Sequence, residues 1–120
     1  MESAQPCPCG SGLPFGQCCR PLHLGERQAR TAEELMRSRY SAYAVGDLEY
    51  VWRTWHPRTR PPELTPNDVE WLGLEVVAAS DDAVEFRAHY RENGRSGTLH
   101  ERSRFAVRAR RWFYLDGEVD

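Results

Sequence analysis

A chain of 120 residues, 40% hydrophobic and 11% aromatic, is long enough for one ordinary domain with a single apolar core and too apolar for disorder. A net charge of −2 gives no general basic field to draw it to nucleic acid or to an anionic membrane, and no apolar run approaches the roughly 20 residues of a membrane span. The first 25 residues lack the apolar core of a signal peptide, so a cytoplasmic location is expected. All 16 basic residues are arginine; lysine and isoleucine are absent, which reads first as the codon bias of a G+C-rich genome.

In chain order, the first chemical signal is the string CPCGSGLPFGQCC, which holds all four cysteines: Cys7, Cys9, Cys18 and Cys19. Four thiolates this close in sequence can surround one ion tetrahedrally at about 2.3 Å each, the closed geometry of a structural zinc site. Gly10 and Gly12 suit the sharp reversal such a loop needs, because glycine tolerates positive φ. Zinc stands against two disulfides, an iron–sulfur cluster and unrelated surface thiols. Disulfides would need an oxidising compartment. A segment of about 25 residues buries too little apolar surface to fold alone, so metal binding would supply its folding free energy. One structural Zn2+ per chain, with no open coordination position, is the expectation.

These residues resemble the SEC-C motif, the zinc knuckle at the C-terminus of the SecA translocation motor, where it contacts a chaperone and the ribosome. That loop is commonly lysine-rich; here it reads Leu13-Pro14-Phe15-Gly16-Gln17. Without the charge, an exposed Leu13 and Phe15 favour docking on an apolar surface, either a protein partner or the chain's own main domain.

Residues 20–30 read as a connector. Thr31 is a candidate N-cap with Glu34 completing a capping box, and Leu35, Met36, Tyr40, Tyr43 and Ala44 form the apolar stripe of a helix running to Gly46. Asp47 opens a second helix through Trp55, closed by His56-Pro57. The stretch 57–68, with four prolines, is a loop. From Trp71 the period becomes 2. Strands are expected over 73–79, from Val84 to Arg91, over the segment from Leu99 to Arg108, and over 112–116, with Asn93-Gly94 as a hairpin turn. Helices followed by an antiparallel meander of about four strands make an α+β domain.

The blocks LMRSRYSAYAVGDLEYVWRTWHPRTR (35–60), FRAHYRENG (86–94), LHERSRF (99–105) and RWFYLDG (111–117) together resemble the YchJ family. That resemblance implies a knuckle over residues 1–24 and a nuclear-transport-factor-2-like domain over 25–120, a cone-shaped curved antiparallel sheet packed on N-terminal helices, with a cavity at one end. Longer relatives carry a second SEC-C knuckle. No further cysteine follows Cys19, so a mechanism needing two knuckles is not expected.

Glu101 is the anomaly of the sheet, since it lies in phase with Leu99, Phe105 and Val107 on the face expected to be buried. A buried carboxylate is costly unless paired or protonated, and the first long helix offers Arg37, Arg39 and Tyr40. Pairing of Glu101 with Arg39 or Arg37 would be architectural. An open cavity lined by Arg37, Arg39, Tyr40, Tyr43 and Glu101 would instead make Glu101 a general base or ligand acceptor, with Tyr40 or Tyr43 as donor. His56 is a weaker catalytic candidate near the cavity mouth. His89 and His100 fall on adjacent outer strand positions and could share a second metal. Arg95, Arg102, Arg104, Arg108, Arg110 and Arg111 cluster against Glu101 alone, a candidate phosphate or RNA patch or else a solvated outer face.

Three functions follow: a zinc-knuckle adaptor that binds a protein partner, a small-molecule binder or hydrolase- or isomerase-type enzyme using the cavity, and an RNA or ribosome contact through the arginine face. The adaptor ranks first, nucleic acid last, and either a monomer or a homodimer is compatible.

Overall fold

The computed structural model describes residues 1–120. The N-terminal segment folds back on itself: Pro6 bridges Pro14, the Cys7 amide donates to the Leu13 carbonyl (3.0 Å) and the Phe15 amide to the Gln5 carbonyl (2.8 Å). Gly10 and Gly12, at φ 79° and 87°, make the reversal between the cysteine pairs. A single 3-10 turn, Phe15–Gln17, leads to α1 (Arg20–His23). The expected connector thus begins with a helix. Pro21 sits in its first turn, where a missing N–H removes no helical bond.

The main helix, α2, spans Ala32–Val45 between caps at Thr31 and Gly46. Thr31 Oγ1 accepts from the Glu34 amide at 3.0 Å. The return arm differs from an ordinary capping box, because Glu34 Oε1 accepts from the amide of Arg30, one residue upstream, at 2.8 Å. Gly46, at φ 83°, closes the helix in the left-handed region. Asp47 Oδ1 accepts from the Tyr50 amide (3.1 Å) and caps α3, Leu48–Arg53. This helix ends before Trp55: the Thr54 hydroxyl donates to the Tyr50 carbonyl (2.7 Å), and Trp55 leaves to bridge Tyr114, with the Tyr114 amide donating to the Thr54 carbonyl and the His56 amide to the Tyr114 carbonyl. Tertiary pairing thus overrides the helical pattern. Residues 57–68 contain no helix or strand.

Four strands, β1 (Glu70–Ala79), β2 (Ala83–Glu92), β3 (Arg95–Arg108) and β4 (Arg111–Val119), form a curled antiparallel meander in the order 1-2-3-4. β1 starts three residues earlier than its pattern implies and β4 runs to Val119, since backbone pairing with β2 and β3 extends past the alternating residues. Asn93 and Gly94 turn the chain at φ 53° and 78°. The β3–β4 turn places Ala109 and Arg110 at φ 52° and 66°, the same backbone without a residue suited to it.

The core lies between α2 and the concave face of the sheet, where Leu35, Met36 and Tyr40 meet Val84, Phe86, Ala88 and Phe105. Val107 departs from expectation. It keeps the inward phase of β3, but packing partners stop at Phe105 and Val107 is exposed. No helix is long and apolar enough to cross a membrane.

Candidate functional site

Two sites lie on opposite sides of α2. On one side the sulfur atoms of Cys7, Cys9, Cys18 and Cys19 all fall within 4.8 Å of one another. Cys9 and Cys18 sulfurs are 3.6 Å apart and those of Cys18 and Cys19 3.9 Å. Four sulfurs at about 2.3 Å from a tetrahedral ion are about 3.8 Å apart, close to the separations found here, so the donor set suits a metal ion. The separation is also well beyond the about 2.05 Å of a disulfide, and all four cysteines are free. Ser11 Oγ lies 3.1 Å from the Cys18 sulfur and Ser41 Oγ 3.4 Å from that of Cys7, orienting the ligands from outside. Hydrogen bonds from Cys19 and Cys9 hold the Cys7 thiol far below its usual range, and sharing them pushes Cys19 far up. The cluster therefore favours a thiolate at Cys7 alone, while burial pushes Cys18 up to about 11, and binding a metal would release the remaining protons.

The knuckle docks on its own domain. Arg37 Nη1 donates to the Cys9 carbonyl (2.7 Å), the His23 ring bonds the Ser38 carbonyl through Nε2 (2.8 Å), and Arg53 Nη2 donates to the His23 carbonyl (2.6 Å). Phe15 is not exposed as expected. It is 5% exposed, packed with the cysteines and edge-on to His23, because docking supplies the apolar cover an isolated knuckle would lack. Leu13 remains outside, at 49%.

On the other side of α2 is a cavity of about 310 Å³. Seven aromatic rings line it: Tyr40, Tyr43, Trp55, Trp71, Phe86, Phe105 and Tyr114. Its polar groups are Arg39, Glu101, Ser103 and the tyrosine hydroxyls. Of the expected cavity set, Arg39, Tyr40, Tyr43 and Glu101 come together here and Arg37 does not. Residues two apart on a helix face nearly opposite ways, so Arg39 enters the cavity and Arg37 turns to the knuckle.

The expected Arg–Glu101 ion pair does not form; neither arginine comes within 4.0 Å of that carboxylate. Arg39 is drawn instead to the end of α3, where Nη1 donates to the Val51 carbonyl (2.7 Å) and to Thr54 Oγ1 (2.8 Å). Helix C-terminal carbonyls attract cations. Its guanidinium carbon sits 5.3 Å from the Trp55 ring centroid and 4.6 Å from that of Tyr114, in the range of cation–π contacts. Glu101 Oε2 accepts from Ser103 Oγ (2.5 Å) and Tyr114 Oη (3.2 Å). Gly117, across the strand pair, leaves room for that carboxylate: a Cβ there would lie 2.5 Å from Oε2. Burial pushes the Tyr40 phenol up to about 12 and shifts Tyr43 and Tyr114 upward too, so these rings stay neutral donors.

His56 lies outside the cavity. Its Nδ1 accepts from the Arg58 amide and its ring meets the edge of Phe113, because Trp55 occupies the wall in its place. His89 and His100 do not join: His89 Nδ1 bonds Thr98 Oγ1, while His100 sits between Glu85 (2.6 Å) and Asp120 (2.8 Å). Of the arginine patch, Arg102 is paired with Glu85 and Asp120 and Arg104 with Asp116, while Arg95, Arg108, Arg110 and Arg111 form no ion pair. Trp55, Ser103 and Tyr114 were not anticipated in the cavity. Alternation on β3 put Ser103 in phase with Glu101, but the run Trp112-Phe113-Tyr114-Leu115 has no polar partner to betray which side faces in.

Models of known families match both parts: the SEC-C motif over residues 4–21 and the domain described as YchJ, middle NTF2-like, over residues 31–117. A cysteine knuckle seated on an NTF2-like domain is the class of protein that fold and site define. The chain belongs to the YchJ family. A UPF0225 protein of Deinococcus radiodurans is 53% identical over 93% of this chain and 88% of its own, and one of Streptomyces coelicolor is 47% identical over 94% of each. The solution structure of RPA3114, a SEC-C motif containing protein from Rhodopseudomonas palustris, superposes with a TM-score of 0.85 at 34% identity, covering 97% of this chain and 99% of that one. The crystal structure of a SEC-C motif containing protein from Psychrobacter arcticus gives 0.81 at 32% identity, over 98% and 84%.

Proposed function

We propose that this protein is a small-molecule binder whose NTF2-like cavity holds the ligand and whose cysteine knuckle holds one structural zinc ion. The observation that carries the reading is Glu101: it shares an aromatic cavity with Arg39 but forms no ion pair with it, whereas an architectural role would require one. Zinc follows from the chemistry of four thiolates at tetrahedral spacing with none left over for catalysis. Reduced thiolates of this kind suit the cytoplasm. Should the ligand also be turned over, Glu101 is the general base and Tyr43 the nearby proton donor.

The adaptor reading rests on Leu13, which with Met1 and Leu24 is one of three large apolar residues exposed on the knuckle segment. With Phe15 inside, the surface it offers a protein partner is small. The net charge of −2 and the pairing of Arg102 and Arg104 with acidic residues disfavour nucleic acid.

The test is native mass spectrometry of the intact protein purified from its own cytoplasm, beside Glu101→Gln and Leu13→Ser. A zinc mass in all three, with a small-molecule adduct absent only from Glu101→Gln, supports the proposal. A protein partner lost only from Leu13→Ser would favour the adaptor.

A further inference from the structure

The polar groups of the cavity are arranged in a way that selects among ligands. Arg39 is 6% exposed and its guanidinium faces are stacked on Trp55 and Tyr114. Only Nη1 is hydrogen-bonded, leaving the edge donors Nε and Nη2 without protein partners. Trp55 Nε1 is a second buried donor with none. Across the cavity, Glu101 Oε2 is engaged by Ser103 and Tyr114 while Oε1 accepts nothing. Arg39 and Glu101 both line the cavity, so their open donors and open acceptor mark complementary ligand atoms, whereas the Trp55 nitrogen is enclosed by protein.

Charge narrows the class further. A ligand anion drawn to Arg39 would meet the Glu101 carboxylate, and a cation drawn to Glu101 would meet Arg39. A neutral molecule with an acceptor on one edge and a donor on the other satisfies both. The ring-lined walls favour a flat π system, and about 310 Å³ is near the lower end of the roughly 300–1,000 Å³ usual for small-molecule sites. We infer that the cavity takes a neutral, planar heteroaromatic molecule of one or two rings, its carbonyl-type acceptor toward Arg39 and its N–H donor toward Glu101. This rests on the small-molecule reading of the same cavity.

The test is a titration of the full-length, zinc-loaded protein, followed by NMR, with four probes of similar size: isoquinolone, naphthalene, naphthoate and naphthylmethylammonium. Isoquinolone is expected to bind at least tenfold more tightly than the other three, the step that hydrogen bonds to charged groups provide. It should shift the indole resonances of Trp55 and Trp71, whose rings line the cavity. Glu101→Gln should weaken isoquinolone about tenfold and leave naphthalene unchanged. Naphthalene binding as tightly as isoquinolone, preference for either charged probe, or an unchanged preference in Glu101→Gln overturns this ligand class and leaves the cavity reading standing. If no probe moves the indole signals of Trp55 or Trp71, both fall together.

Discussion

Arg37 reaches from the middle of α2 to the carbonyl of Cys9, 2.7 Å away, and so fastens the cysteine loop to the helix that also forms the cavity wall. Its ion pair with Glu33 is half-exposed and adds little. The bond to Cys9 is charge-assisted and removes the demand of a carbonyl beside a metal ligand. Arg37→Ala should therefore lower stability by about 1.5 kcal/mol and weaken metal retention against a chelator. A thermal melt and chelator competition identical to those of the parent would contradict this role.

Stripping the metal should loosen the knuckle first. Amide exchange is expected to accelerate in residues 5–19 while the β2–β3 ladder keeps its protection, because the meander has its own core with α2. Cys9→Ser, at the most buried ligand, should reproduce the pattern. Uniform loss of protection across the sheet would show that knuckle and domain unfold as one unit.

The β3–β4 turn can be improved. Ala109 and Arg110 occupy the left-handed region, which disfavours side chains with a Cβ, whereas the β2–β3 turn uses Asn-Gly for the same geometry. Arg110→Gly, or the pair Ala109→Asn with Arg110→Gly, should raise stability by about 1 kcal/mol in denaturant titration. A fall in the midpoint would mean that the Arg110 side chain has a stabilising contact that outweighs the strain.

Alkaline stability should be set by the tyrosines. Burial raises the phenols of Tyr40, Tyr43, Tyr50 and Tyr114 in the folded chain, that of Tyr40 from 10.0 to about 12. The native state then holds these protons more tightly than the unfolded chain does. Their contribution is complete below pH 10 and is lost as pH rises toward 12. Tyrosinate absorbance should appear late and together with loss of tertiary circular dichroism. Early titration of all tyrosines without unfolding would contradict it.

Gly117→Ala separates site from fold. The new Cβ would lie 2.5 Å from Glu101 Oε2, so the carboxylate must leave Ser103 and Tyr114. Binding of a cavity probe should fall while the melting temperature changes little, since the displaced atom is the end of a flexible side chain. Unchanged probe affinity would show that the carboxylate position does not govern binding.

What the sequence reveals is what short-range chemistry decides. The cysteine ligands, the caps at Thr31 and Asp47 and the Asn93-Gly94 turn each lie within a few residues of their partners, and all appear where the pattern puts them. Residues whose environment is assembled from afar are less legible. Arg39 is satisfied by the end of α3 rather than by Glu101, Phe15 is covered by docking of the knuckle, and Trp55 exchanges a helical position for pairing with β4. The in-phase position of Glu101 is readable, but the company it keeps is not, because Tyr114 arrives from the unbroken apolar run Trp112-Phe113-Tyr114-Leu115.

The seam between knuckle and helix is furnished with unusually polar groups. Ser38 and Ser41 are both fully buried there, the Ser41 hydroxyl against Cys7 and the Ser38 carbonyl against His23, with Arg37 closing one side. When the knuckle lifts, the face it uncovers offers hydroxyls, a guanidinium and a carbonyl that water can hydrate at once. The same seam also carries an apolar strip, with Phe15 on Val45 and Leu74, and Leu22 on Ala42, Tyr50 and Val51. A knuckle released by metal loss therefore bares greasy surface beside wettable groups, and self-association becomes a hazard of the metal-free state.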